Sequence, residues 1–255
     1  ESFFKGKKLP VGLQKWKDNY NKRILVLTGF PRAEYTHTDL ISMCDYKYYG
    51  VKGKEEEYAQ EVKAWDALRQ KHRQYREKYL NCVIELAQCH PDIGILVKLH
   101  PVELQDFLEG KKYQCYQELE KYNNIILLRE SVLLGRILPY VDTLVHYGST
   151  SGLEAYIYNI PTVQLYDSSI PEKAYEPGFC IYDSTVKLDV NDTGVFEEVV
   201  SAKIVPRSLK STERILEEQF NWTEDNKAAY HPTKTYAKII LDSFGKGQKI
   251  DDYGY

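Results

Sequence analysis

Short apolar runs separated by longer polar segments occupy the first two thirds of the chain. Each run contains few polar residues, which is typical of strands in a parallel sheet that is covered on both faces. The predicted strands span residues 23–28, 93–99, 124–128, 143–146 and 161–166.

The segments between these strands repeat their apolar residues at helical spacing. In the longest segment Val62, Trp65 and Leu68 recur three residues apart, and charged residues fill the positions between them. The predicted helices span residues 55–89, 102–122, 132–140 and 150–158. The regular alternation predicts an α/β fold, a Rossmann-like parallel sheet flanked by helices and joined by right-handed crossovers.

The pattern is weaker outside this alternating region. We expect one domain over residues 22–245, which includes a helical C-terminal part, and a loose tail over residues 246–255. The remaining predicted parts are a lead-in or linker over 1–21, a polar loop over 33–53, a short strand at 179–182, and helices at 209–220 and 227–244.

Composition narrows the class of protein. The chain has 255 residues, of which 43% are hydrophobic and 28% charged, as in an ordinary globular protein. A formal net charge of −3 argues against a general nucleic-acid binder. The five cysteines are odd in number and form no Cys-x-x-Cys pair, which favours free thiols, a reducing cytoplasmic location and no zinc site. Because the chain starts at Glu1 and its one methionine is Met43, we expect a processed product or a fragment.

One segment combines a strand, a small-residue turn and a helix start. Residues 144–155 read Leu-Val-His-Tyr-Gly-Ser-Thr-Ser-Gly-Leu-Glu-Ala. Ser149, Thr150 and Ser151 place hydroxyl groups beside the unpaired amides of a helix N-terminus, an arrangement that favours an anion such as phosphate. Ser151 and Glu154 also fit a capping box, so a plain helix cap is an equally good interpretation.

A second segment, residues 95–101, is an apolar run that ends in His-Pro. Pro101 ends the strand ladder and holds His100 in an extended or turn conformation at the carboxyl end of the strand. In open α/β sheets, ligands bind beyond the carboxyl ends of the strands. We therefore expect His100 and the serine-rich turn to face one crevice.

Taken together, these motifs resemble the C-terminal, nucleotide-binding half of GT-B glycosyltransferases. The resemblance is strongest to bacterial proteins of capsule and lipopolysaccharide biosynthesis, and it includes CMP-sialic acid and CMP-Kdo transferases and CDP-glycerol glycerophosphotransferases. It covers residues 24–167 and is carried by Leu27-Thr-Gly-Phe30, Lys98-Leu-His-Pro101 with Glu103, Arg129-Glu-Ser131, His146-Tyr-Gly-Ser-Thr-Ser-Gly-Leu-Glu-Ala155 and Asn159-Ile-Pro-Thr162.

The resemblance implies transfer of a sugar from a nucleotide-sugar donor, CMP- or UDP-linked, to a surface glycan or lipid-linked glycan, without a metal or a cofactor. His100 would contact the donor phosphate and assist catalysis, Glu154 would bind a ribose hydroxyl, and Glu130 and Ser131 would line the base pocket. The full set of implied donor-binding residues is Thr28, Gly29, Lys98, His100, Pro101, Glu130, Ser131, His146, Gly148, Ser149, Thr150, Ser151 and Glu154.

The resemblance also implies partners that the sequence leaves open. GT-B enzymes carry a second, N-terminal acceptor domain, so a missing domain or partner subunit is expected, and association with the inner face of the membrane is compatible with the family. Within this chain, Glu34, His37 or Asp39 would be the base that activates the acceptor hydroxyl. Two alternatives remain, an enzyme similar to sugar-nucleotide 2-epimerases and a non-catalytic Rossmann-like binding module.

Overall fold

The computed structural model describes residues 10–48, 53–149, 151–170 and 185–203. The chain divides into two compact units, Glu1–Val205 and Pro206–Tyr255, and every described residue belongs to the first. The expected strand at 179–182, the helices at 209–220 and 227–244, and the tail over 246–255 lie outside the described residues.

A six-stranded parallel sheet forms the centre of the described unit, which confirms the predicted α/β fold. The strand order is β3-β2-β1-β4-β5-β6, and it reverses direction between β1 and β4. The strands are β1 (Lys22–Leu27), β2 (Ile93–Lys98), β3 (Ile125–Leu128), β4 (Thr143–His146), β5 (Thr162–Tyr166) and β6 (Thr185–Asp189).

Helices cover both faces of this sheet. The α-helices in the described ranges are α1 (Val11–Asn19), α2 (His37–Tyr48), α3 (Glu55–Cys89), α4 (Pro101–Leu108), α5 (Ser151–Ile157) and α6 (Val195–Ser201). None of these helices is long and apolar enough to cross a membrane.

Side chains of successive strand residues point to opposite faces, so the sheet separates two apolar clusters. On one face, Ile24 and Val26 of β1 pack with α3 and α6. On the other face, Leu25 and Leu27 pack with α1, α5 and the β3–β4 connection. We call these the α3 face and the α5 face.

The segment expected to be a linker is a packed helix over part of its length. In α1, Leu13 and Trp16 are fully buried on the α5 face, and the Trp16 indole donates a hydrogen bond of 2.8 Å to the Gly94 carbonyl. The expectation of a linker over 1–21 is therefore wrong for Val11–Asn19. The expected domain start at residue 22 likewise excludes a helix that belongs to the core.

Several other expected boundaries differ from the structure. The polar loop expected over 33–53 contains α2. The helix expected over 102–122 is α4 followed by a 3-10 helix, Gln114–Lys121, and the helix expected over 132–140 is two short 3-10 turns. The long helix over 55–89 and the strand over 143–146 are confirmed at both ends.

Candidate functional site

The strand order reverses between β1 and β4, and in open α/β sheets such a reversal marks a crevice at the carboxyl edge of the sheet. Adjacent crossover connections leave opposite faces there, and open α/β sheets bind their ligands at this point. The predicted site residues near β1, β2 and β4 follow the ends of these strands. The fold therefore places the His-Pro segment and the serine-rich turn at the same edge.

The alternation of side chains decides which predicted residues share a face. Lys98 follows Leu96 by two positions and His146 follows Leu144 by two, so both extend the α5 face. Glu154 is on α5 itself. Lys98, His146 and Glu154 therefore lie on one side of the crevice, although three different elements supply them.

Lys98 and Glu154 are close enough to perturb each other electrostatically. Burial lowers the pKa of the Lys98 ammonium group, and the Glu154 carboxylate partly opposes this effect. Burial also raises the pKa of Glu154, against the opposing charge of Lys98. Within the described residues neither side chain has a hydrogen bond or an ion pair.

His100 caps the start of α4 and lies beside Lys98. Its Nδ1 atom accepts a hydrogen bond of 3.4 Å from the Val102 amide, which leaves Nε2 as the protonated nitrogen of the neutral ring. Partial burial, followed by the positive charge of Lys98, lowers the pKa of His100. At neutral pH the unliganded ring therefore acts as a neutral hydrogen-bond donor, and Lys98 supplies the positive charge.

His146 is fully buried and organises the turn that follows β4. Its Nδ1 atom accepts a hydrogen bond of 3.0 Å from the Ser149 amide, and burial lowers its pKa to about 4. Gly148 has a φ of 48°, in the left-handed region that favours glycine. The ring therefore remains neutral and holds the turn in one conformation.

Three amides at this turn, those of Ser149, Ser151 and Gly152, already have acceptors. Ser151 donates its amide to the Ser149 hydroxyl at 3.2 Å, and the Gly152 amide donates to the Ser149 carbonyl at 3.1 Å. With the Ser149 amide bound to His146, an anion at the turn would depend on hydroxyl donors rather than on these amides. Thr150 lies outside the described residues.

The predicted capping box at this helix does not form. Helix α5 begins at Ser151, and in the described structure the Glu154 carboxylate accepts no hydrogen bond from the Ser151 amide. The chain instead forms a capping box at α4, where His100 is the cap and Glu103 is the third helical residue. The Glu154 carboxylate, without that bond, interacts electrostatically with Lys98.

The turn after β1 is fixed by Glu103. The Thr28 hydroxyl donates to the Glu103 carboxylate, and the Phe30 amide donates to it at 2.5 Å. Phe30 then stacks on Tyr147 with ring centroids 5.0 Å apart, so aromatic packing continues from β1 to β4 on the α3 face. Sequence reasoning quoted Glu103 without a role, although the spacing His-Pro-x-Glu is that of a capping box.

Glu34 and His37 were expected to provide a catalytic base. Glu34 is bound by two arginines of α3, at 3.3 Å from Arg73 and 2.5 Å from Arg76. His37 is exposed at the first position of α2. In the described structure no hydrogen bond or ion pair connects Glu34 or His37 to the crevice residues.

Asp39, the alternative catalytic base, and the residues expected to bind the nucleotide base also make no described contact with Lys98, His100 or Glu154. Asp39 accepts a hydrogen bond of 2.6 Å from the Thr36 amide and is a helix-capping residue. Glu130 and Ser131 are exposed beyond β3, two strands away from β1. The structure therefore places them at the carboxyl edge without bringing them into the crevice.

A second polar cluster, which sequence reasoning missed, fastens the ends of β5 and β6. Asp167 accepts hydrogen bonds from Lys78 at 2.8 Å and Asn191 at 2.9 Å, and Asn191 also donates to Asp189 at 2.7 Å. Hydrogen bonds from Lys78, Ser169 and Asn191 outweigh the effect of burial and lower the pKa of Asp167 to about 2. This cluster is internally satisfied and fixes the edge of the sheet beside the crevice.

A metal ion requires a set of ligand side chains that lie close together. In the parts of the chain that the structure covers, no three His, Cys, Asp or Glu side chains come together in a group that could hold a metal ion. The groups offered to a ligand are therefore an ammonium group, a neutral imidazole, serine hydroxyls and one carboxylate.

Comparison with known proteins adds no relative to this picture. The sequence matches no family model and no curated protein.

Proposed function

We propose that the described unit is the donor-binding domain of a glycosyltransferase that takes its sugar from a CMP- or UDP-linked donor. The observation that carries the proposal is the pair of Lys98 and Glu154, which lie close enough beside the strand-order reversal to interact electrostatically and make no hydrogen bond or ion pair with the described residues. A phosphate needs a cation and hydrogen-bond donors, and a ribose or sugar hydroxyl needs an acceptor. Lys98 and Glu154 supply these two kinds of group at one site.

In the proposed reaction, Lys98 and His100 stabilise the phosphate that leaves the sugar. As the bond between the sugar and the donor phosphate breaks, negative charge grows on the phosphate oxygens. The Lys98 ammonium group stabilises that charge, and the neutral His100 ring donates a hydrogen bond from Nε2. An approaching phosphate favours the protonated form of His100, which strengthens the same interaction.

The hydroxyl of Ser149 completes the donor set. It accepts from the Ser151 amide, so its own proton remains available for a phosphate oxygen. Glu34 is bound by two arginines and is not proposed as the base that activates the acceptor hydroxyl. The proposed acceptor, a surface glycan or a lipid-linked glycan, follows from the resemblance to GT-B glycosyltransferases.

Calorimetric titration with CMP, CDP, UDP and GDP tests this proposal. We expect one nucleotide to bind, and Lys98→Gln to weaken its affinity about tenfold or more because a charge-assisted hydrogen bond contributes about 1.5–3 kcal/mol. Lys187→Gln is the matched control, because Lys187 is exposed on β6 at the far edge of the sheet. Its affinity should equal that of the unmodified protein.

The outcome also separates the competing functions. No binding of any of the four nucleotides to the folded protein would refute a donor site in this unit and favour the non-catalytic module. If a nucleotide binds, incubation of its UDP- or CMP-sugar without acceptor should return the sugar unchanged or slowly hydrolysed. A sugar epimerised at C2 would instead identify an epimerase.

A further inference from the structure

Glu103 joins the ends of two neighbouring strands at the proposed donor site. Its side chain is fully buried on the first turn of α4. The carboxylate accepts hydrogen bonds from the Thr28 hydroxyl, from the Phe30 amide at 2.5 Å and from the His100 amide at 3.3 Å. The Thr28 oxygen in turn accepts from the His100 amide at 3.1 Å, which closes the network.

These contacts exceed what a helix cap requires. A capping box needs the third helical residue to accept from the cap amide, here the bond between Glu103 and His100. The two bonds to Thr28 and Phe30 reach into the neighbouring strand and its turn. Such a cap is normally exposed, whereas complete burial of this carboxyl raises its pKa and is unfavourable unless the extra bonds offset it.

The network begins where the backbone ladder ends. The last paired residues of β1 and β2 are Leu27 and Lys98, and one further bond runs from the Thr28 amide to the Lys98 carbonyl at 3.2 Å. Beyond this point no backbone hydrogen bond of the described structure joins the two strand ends. The spacing of the β1 turn and His100 is therefore set by the Glu103 carboxylate.

We propose that Glu103 is a positioning residue, which fixes the His100 imidazole and the turn at Gly29 in the geometry that receives the donor phosphate. The inference rests on the proposed function for its ligand, and on the Glu103 hydrogen bonds for its mechanism. Glu103 touches no ligand itself. It acts through Thr28 and the amides of Phe30 and His100.

A double-mutant cycle between Glu103 and His100 tests the inference. We expect Glu103→Gln to weaken affinity for the bound nucleotide about fivefold or more, because the amide group presents a donor to amides that need an acceptor. Because Glu103 acts partly through His100 and partly through the turn at Gly29, adding Glu103→Gln to His100→Ala should cause a smaller loss than Glu103→Gln causes alone. Additive losses, or an unchanged affinity in Glu103→Gln, would overturn the inference.

A buried polar residue at the opposite edge of the sheet supplies the control. The Asn124 side-chain amide donates to the carbonyls of Ala87, His90 and Ile93 at 3.0–3.1 Å, near the amino ends of β2 and β3. Asn124→Ala should lower the melting temperature while it leaves nucleotide affinity unchanged. If it weakens affinity as much as Glu103→Gln does, a general loss of stability explains both variants.

Two further measurements keep the inference separate from the proposed function. If Glu103→Gln does not fold, Thr28→Val removes the hydroxyl link and should weaken affinity about two- to fivefold. If the unmodified protein binds no nucleotide, the proposed function fails, and NMR titration of the His100 ring tests positioning alone. Glu103→Gln should then shift the midpoint of that titration, whereas a midpoint equal to that of Asn124→Ala refutes it.

Discussion

His146 should make the stability of the fold depend on pH in a narrow acidic window. In the unfolded chain the ring takes up a proton near its ordinary pKa of 6.5, whereas burial in the folded state lowers the pKa to about 4. Between these values the unfolded state binds more protons, so the free energy of unfolding rises with pH. The full contribution is about 3 kcal/mol, of which about 2 kcal/mol is lost between pH 7 and pH 5.

Urea denaturation of the unmodified protein and of His146→Asn at pH 5, 6 and 7 measures this contribution. The asparagine Oδ1 atom can accept from the Ser149 amide in place of Nδ1 but does not take up a proton in this range. The variant should be less stable at pH 7, by about 1–3 kcal/mol for its smaller side chain, and less sensitive to pH.

The difference between the two proteins should shrink by about 2 kcal/mol on going from pH 7 to pH 5. The exposed residue His37 supplies a control, since His37→Asn should retain the pH dependence of the unmodified protein. Parallel curves for the unmodified protein and His146→Asn would refute the reasoning, because they would show that the ring titrates alike in both states.

Three further predictions concern packing and thiol chemistry. Gly94→Ala should lower the unfolding free energy by about 1–3 kcal/mol in urea denaturation, since a Cβ atom there would overlap the base of the Tyr20 side chain. Trp16→Phe should cost about 1–2 kcal/mol in the same assay, because it removes the donor bound to the Gly94 carbonyl. Burial raises the pKa of the Cys82 thiol to about 11, so at pH 8 it should react with a disulfide reagent at least about tenfold more slowly than the exposed Cys89, as followed by mass spectrometry of labelled peptides.

The elements that sequence predicted well are those with many buried positions. In the second half of α3 most buried positions are apolar or aromatic and recur at helical spacing, with His72 and Arg76 as polar exceptions. In β4 the apolar pair Leu144 and Val145 lies between buried polar residues, and the short run still locates the strand. α1 and α2 were missed because, among their side chains that the structure describes, each buries few large residues. Only spacing at i, i+3 in Leu13 and Trp16, and at i, i+4 in Leu40 and Cys44, indicates their helices in the described structure.

The start of α2 carried a signal that could have been recognised. The Thr36 amide donates to Asp39 at 2.6 Å, and the Asp39 amide donates back to the Thr36 hydroxyl at 3.1 Å. Ser, Thr or Asp with an acidic residue three positions later is a helix-start pattern. The abundance of tyrosines in this segment favoured a loop and obscured it.

The candidate site was predictable in part. Strand parity alone puts Lys98 and His146 on one face once the strands are known, and the strand order then brings Glu154 to them. The role of Glu103 was not predictable, because its bonds to Thr28 depend on the relative heights at which β1 and β2 end. The pattern of apolar residues locates each strand in the sequence, but it does not give the register in which β1 and β2 pair.

The length of α3 has a consequence for how the protein opens locally. A helix of 35 residues is about 50 Å long, yet its buried side chains begin at His72 and continue to Ala87. The amides of its first half are protected chiefly by the continuity of the helix and by α2, and those of its second half by the sheet. Amide hydrogen exchange should therefore be fast near Glu55, where the helix frays locally, and as slow as global unfolding near Ala87. The free energies of opening along α3 then span nearly the whole range found within the fold.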